Sequence, residues 1–106
     1  MSCKQAKIDF LVMQMKEAGN IRAKKMFGEY GIYCDEKIVA LVCDDQLFVK
    51  PTQAGEEFIG EVLEGFPYPR AKPYFLITEK MWKDKNWVAE LIRLTAAELP
   101  SPKKKF

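Results

Sequence analysis

The sequence predicts an α+β domain: an antiparallel sheet of about five strands packed against two to three helices, in the order helix, strands, helix, strand, helix. Three observations predict it. Residues 38–43, IVALVC, are apolar at every position. A strand with one wet face alternates, so this run is expected to be a central strand covered on both faces. The acidic pairs Asp35-Glu36 and Asp44-Asp45 flank it, and short acidic pairs between apolar runs are turn signals. Amphipathic stretches lie near both ends of the chain, at 4–18 and 84–98.

The first helix is expected over residues 4–18. Ile8, Leu11, Val12 and Met15 follow the i, i+3, i+4, i+7 spacing of one helical face, and Lys7, Gln14 and Lys16 supply polar positions. Gly19-Asn20 stops it, because glycine takes the left-handed position after a helix without a Cβ clash. Residues 21–26 put Arg22, Lys24 and Met26 on one strand face and Ile21, Ala23 and Lys25 on the other. Arg22, Lys24 and Lys25 mark this as an edge strand, where charge discourages intermolecular pairing. Gly28 and Gly31 in the next strand context predict a bulge or a close backbone approach.

After the second acidic turn, residues 46–50 form a further strand that Pro51 ends. Thr52 is a good N-cap for a helix near 53–63, with Glu56 and Glu57 at the positive end of its dipole. Phe58, Ile59, Val62 and Leu63 give it one apolar side. Gly55 and Gly60 each cost about 1 kcal/mol of helix propensity, so a short or irregular helix is expected. Residues 65–73 hold three prolines and are expected to loop. Residues 74–77 are aromatic and β-prone, the last strand. Thr78 starts a turn through Met81 and Trp82. Asp84 caps the closing helix, whose inner face is Val88, Leu91, Ile92 and Thr95, helped by Trp87. Residues 1–100 make one domain, and 101–106 are expected to be a disordered basic tail.

The chemistry that is missing narrows the function. The chain has no histidine, which removes the commonest general base and metal ligand. Its only serines, Ser2 and Ser101, lie near the termini. The three cysteines lack CxxC spacing, and no phosphate-loop motif is present. If Asp35-Glu36 closes a tight hairpin, Cys34 and Cys43 stand roughly 16–20 Å apart, too far for a bridge. No catalytic residue, metal or cofactor is expected. The 17 basic and 15 acidic residues leave +2, a balance that neither demands nor excludes a polyanion. No continuous apolar run marks a signal peptide or a membrane span, so a cytoplasmic protein is expected.

The run Arg22, Ala23, Lys24, Lys25, Met26, Phe27, Gly28, Glu29, Tyr30, Gly31, Ile32, Tyr33 resembles the N-terminal domain of the TfoX/Sxy family, which carries an R-x-M-F-G-G-Y-G-I-Y type signature. The motif residues here are Met26, Phe27, Gly28, Tyr30, Gly31 and Tyr33. Glu29 stands where the family has a second glycine. The apolar strand, the acidic turn at Asp44-Asp45, the strand Leu47, Phe48, Val49, Lys50 and the later Lys72-Pro73-Tyr74 also fit. Family regulators carry a second, helical C-terminal domain that this chain ends before.

The resemblance implies a non-enzymatic regulator of competence, the expression of DNA-uptake genes, acting through protein contacts with transcription machinery or another regulator. The residues singled out as an interaction surface are Arg22, Lys24, Lys25, Tyr30 and Lys50. An exposed edge also offers a homodimer by strand addition. The alternatives are direct nucleic-acid binding by the basic strand and its aromatics, which the near-neutral charge does not favour, and a small-ligand module built from carboxylates and tyrosines.

Overall fold

The computed structural model describes residues 5–26, 29–43, 46–67 and 69–99. The predicted Phe27-Gly28 pair, the Asp44-Asp45 turn and the 101–106 tail lie outside the described residues.

Helix α1 spans Gln5–Met15, and one 3-10 turn, Lys16–Ala18, follows it. Four strands come next: β1 Ile21–Met26, β2 Glu29–Cys34, β3 Lys37–Cys43 and β4 Gln46–Val49. Helix α2 covers Gln53–Ile59. Strands β5 (Glu64–Gly65) and β6 (Tyr74–Ile77) follow, then the short helix α3 (Glu79–Trp82) and α4 (Lys85–Glu98). The sheet is antiparallel with the order β1-β2-β3-β4-β6-β5. The α+β class therefore holds, with six strands rather than about five.

The two faces of the sheet differ. Alternation sends Ile32, Cys34, Ala40, Val42, Leu47, Val49, Phe75 and Ile77 to one face, and a bulge in β3 adds Val39; there they pack with Ile8, Leu11, Met15, Trp82, Val88, Leu91 and Ile92 of the helices. The other face gathers Leu41, Cys43 and Phe48 with Ile38, Tyr74 and Leu76, a cluster of strand residues alone. The run at 38–43 feeds both clusters, which is why it shows no alternation. Cys34 and Cys43 lie in different clusters and are not bridged to one another.

Three elements depart from expectation for local reasons. The second helix ends at Ile59, not 63, because Gly60 sits at φ 87 and its N–H closes the helix on the Glu56 carbonyl. Leu63 leaves the helix and accepts a strand-like bond from Leu76 N at 2.8 Å. The expected loop at 65–73 begins as the edge strand β5, paired Glu64 to Phe75 and Gly65 to Tyr74. A Cβ on Gly65 would stand 2.7 Å from Phe48 Cε1, so only glycine lets this strand lie over the Phe48 ring. At Gly31 the expected irregularity is displaced by one residue: the bulge falls between Ile32 and Tyr33, where β3 carries Val39 as its extra residue, and Gly28 lies outside the described residues.

The first acidic pair makes the predicted tight hairpin, with Asp35 at φ 51 and Glu36 at φ 72. Both central residues of a type I′ turn need positive φ, which asparagine and glycine take most easily. The double change Asp35→Asn with Glu36→Gly is expected to stabilise the chain by about 1 kcal/mol, read as a higher urea midpoint. The asparagine side chain would keep the acceptor that Asp35 Oδ1 offers to Asn20 N at 2.9 Å. Among the described residues, no helix is long and apolar enough to cross a membrane.

Candidate interaction surface

β1 is one edge of the sheet. Its pairing with β2 runs from Ile21 opposite Cys34 to Met26 opposite Glu29. Asp35 N donates to Asn20 O at 3.0 Å, so the pair just before the strand is a hydrogen-bonded one. Antiparallel pairs alternate. Arg22, Lys24 and Met26 therefore spend their backbone groups on β2, while Ile21, Ala23 and Lys25 aim theirs outward. Among the described residues nothing accepts from or donates to these outward groups.

The side chains alternate as well. Arg22 and Lys24 stand on the face of the strand-only cluster, opposite Tyr33 and Gly31. Arg22 Nη2 donates to Glu36 Oε1 at 2.8 Å, and both side chains are largely exposed. An exposed ion pair of this kind contributes at most about 1 kcal/mol. Lys24 is exposed and central on the edge. Lys25 is exposed too, but lies on the helix-bearing face beside Tyr30, its cross-strand partner. Tyr30 packs against the core and donates its hydroxyl to Gln5 Oε1 at 3.0 Å. It serves the β2–α1 junction. Lys50 follows β4, three strands from β1, which is about 14 Å across the sheet. The structure thus brings Arg22, Lys24 and Lys25 together along one edge, on two faces, and does not bring Lys50 to them. Of the motif residues, Gly31 is buried, Tyr33 is half-buried and Met26 ends β1.

Elsewhere polar groups mostly hold elements together. Gln14, expected among the polar positions of the first helix, is buried and donates from Nε2 to the carbonyls of Trp82 (3.1 Å) and Lys83 (3.0 Å). Lys37 Nζ donates to Ala96 O at 2.7 Å, near the negative end of the α4 dipole. Cys34 is buried, and its thiol donates to Ala18 O at 3.7 Å. Burial pushes that thiol above its ordinary pKa, helped by the Asp35 carboxylate and opposed by Lys37. It is a poor nucleophile at neutral pH. Among the described residues no group of histidine, cysteine or carboxylate side chains is arranged to hold a metal ion.

An acidic groove runs beside α2, lined by Glu56, Glu57, Glu64 and Glu98 with Phe75 at its base. One of these carboxylates is already used. Glu98 ends α4 and accepts from Gln53 N and Ala54 N, each at 2.9 Å, beside the Thr52 cap on Gly55 N at 3.0 Å. The bonds from Ala54 and then Gln53 hold Glu98 below the usual carboxylate range. A group depressed in the folded state stabilises above its unfolded pKa and loses that contribution as pH falls through its folded pKa. Glu98→Gln is therefore expected to lower the urea midpoint at pH 7, with the gap to wild type closing as the pH falls below the usual carboxylate range and through the depressed pKa of Glu98. A gap that stays constant across that range contradicts the role of the charge.

Comparison with known proteins adds two findings. A family model described as the TfoX N-terminal domain matches residues 13–99. A protein of Spirochaeta aurantia, described as an uncharacterized 12.7 kDa protein in the trpE 5' region, is 42% identical over 94 residues. That match covers 89% of this chain and 81% of the relative.

Proposed function

The chain belongs to the TfoX N-terminal domain family, and from that membership we propose that it is a non-enzymatic regulatory domain working through protein contacts. Its target is the expression of DNA-uptake genes, the role implied by resemblance to TfoX-type competence regulators. The observation that carries the protein-contact part is the β1 edge: outward backbone groups flanked by exposed Lys24 and Lys25. Edges of this kind are templates for pairing with another chain.

Nucleic-acid binding asks for a row of cations on one surface. Here Lys25 lies on the face opposite Lys24, and Arg22 is engaged by Glu36, so the charge is divided. That reading also requires affinity that falls steeply with salt.

The test is made in the source cell. Its gene is deleted and then restored as wild type or as Lys24→Glu, and transcripts are measured under conditions that induce DNA uptake. DNA-uptake transcripts are expected to fall on deletion, recover with wild type and stay low with Lys24→Glu. Unchanged transcripts on deletion overturn the regulatory reading.

A further inference from the structure

From the geometry of β1 we infer that this edge takes an extended acidic segment of a partner protein as a seventh strand. The inference rests on the protein-contact reading above and gives it a mode and a partner chemistry.

The edge is open and long enough. β1 has six residues, and Ile21, Ala23 and Lys25 aim their N–H and C=O groups away from β2. The far edge of the sheet, β5, has two residues and offers no comparable length. Adding a strand to β1 would satisfy the outward groups through main-chain bonds, which carry affinity in this mode of recognition, while side chains carry specificity.

Charge selects the occupant. On one face an incoming strand meets Arg22 and Lys24. On the other it meets half-buried Ile21 and Ala23, then exposed Lys25. The anions nearby sit at the ends of the strand: Glu36 pairs with Arg22, Asp35 bonds Asn20 N, and Glu29 lies opposite Met26. The middle of the edge, at Lys24, is positive. A matching segment has acidic side chains at alternate positions toward Arg22 and Lys24, with a small apolar residue against Ala23. Opposite charges directly across a strand pair stabilise it, and like charges destabilise it.

The same charges disfavour a second copy. In two-fold antiparallel pairing, the outward groups of Ile21, Ala23 and Lys25 must face their counterparts. Centring the pair on Arg22 sets Arg22 against Arg22. Centring on Ala23 sets Arg22 against Lys24 twice, and centring on Lys24 sets Lys24 against Lys24. Each of these three registers, the ones that join two or more pairs of the outward groups, opposes at least one pair of cations. The lysines thus disfavour self-pairing, the usual task of charge on an edge, while admitting a strand of opposite sign.

The test titrates isotope-labelled full-length chain with the acetylated peptide Glu-Val-Glu-Ala-Glu-Thr, and with its counterpart in which lysine replaces glutamate. Backbone amides are followed by NMR shift and hydrogen exchange. The glutamate peptide is expected to shift and protect the amides of Ile21, Ala23 and Lys25, and the lysine peptide to do neither. Lys24→Glu is expected to weaken binding at least tenfold. Ala23→Pro removes one outward N–H, at an edge position where proline is tolerated, and is expected to abolish binding while the rest of the spectrum persists. The inference is overturned if the glutamate peptide does not bind, if it binds without protecting those three amides, or if the lysine peptide binds equally. Protection of the same amides in concentrated protein without peptide overturns it too, and assigns the edge to a second copy. A peptide that fails while DNA-uptake transcripts still depend on the gene removes only this mode of contact. Binding at the edge with transcripts unchanged removes only the regulatory reading.

Discussion

Gly19→Ala is expected to destabilise the chain by about 3 kcal/mol and to lower its melting temperature on the order of 15 °C. Gly19 joins the first helical segment to β1 with φ 154 and ψ −154, a conformation that is essentially reserved for glycine. An added Cβ would stand 2.9 Å and 3.1 Å from the two carboxylate oxygens of Asp35 and 3.0 Å from Cys34 Sγ. None of these neighbours moves freely. Asp35 Oδ1 is bonded to Asn20 N at 2.9 Å, and Asp35 N to Asn20 O at 3.0 Å. Cys34 is fully buried, with its sulfur against Ala18 O. The alanine must therefore strain its own backbone and also displace the carboxylate that ties β1 to the hairpin turn. Urea and thermal unfolding measure the effect. A change below about 1 kcal/mol contradicts this account of the junction.

Gln14→Leu is expected to cost about 2 kcal/mol, and Gln14→Glu about 4 kcal/mol at pH 7. The Gln14 amide is the buried cap on the C-terminal end of α3: its two donors reach the Trp82 and Lys83 carbonyls, groups that the short helix leaves without intrahelical partners. Leucine matches the volume and abandons both carbonyls. Glutamate adds an anion facing two carbonyl oxygens and supplies no donor. Trp82 is fixed by this cap, with Phe10 edge-on at 5.7 Å and Lys7 Nζ 5.4 Å from its ring centroid. Loss of near-ultraviolet Trp82 signal should accompany the loss of stability. If glutamate is tolerated better than leucine, the capping role is wrong.

Sequence patterning located much of this fold, for physical reasons that can be named. Residues 38–43 declare a two-sided strand because both faces of β3 feed apolar clusters. Asp35-Glu36 declares its hairpin as a short polar break between two apolar runs, with Asp35 a residue that accepts positive φ, although Glu36 at φ 72 is not one that favours it. Val88, Leu91, Ile92 and Thr95 declare the inner face of α4, and all four are buried there. The Arg22/Lys24 and Lys25 faces follow from alternation alone.

What escapes the sequence depends on contacts distant along the chain. β5 is a Glu-Gly pair with no strand propensity, held by its fit over Phe48. Gln14 reads as a solvent position because its partners lie 68 and 69 residues away. The Glu98 cap on α2 joins residues 44 and 45 apart. Charge groups Lys50 with the basic strand, but strand order sets it apart. The crowding of Gly19 by Asp35 and Cys34 also leaves no mark in the sequence beyond the glycine itself.

Protein contact at the β1 edge is tested by photo-crosslinking in the source cell with benzoylphenylalanine placed at position 20 or at position 57. Asn20 is exposed at the start of the β1 edge, and Glu57 is exposed beside the acidic groove of α2. A discrete, nuclease-resistant protein adduct is expected from position 20 and none from position 57. Adducts from position 57 alone, or adducts from position 20 that are nucleic acid, contradict protein contact at this edge.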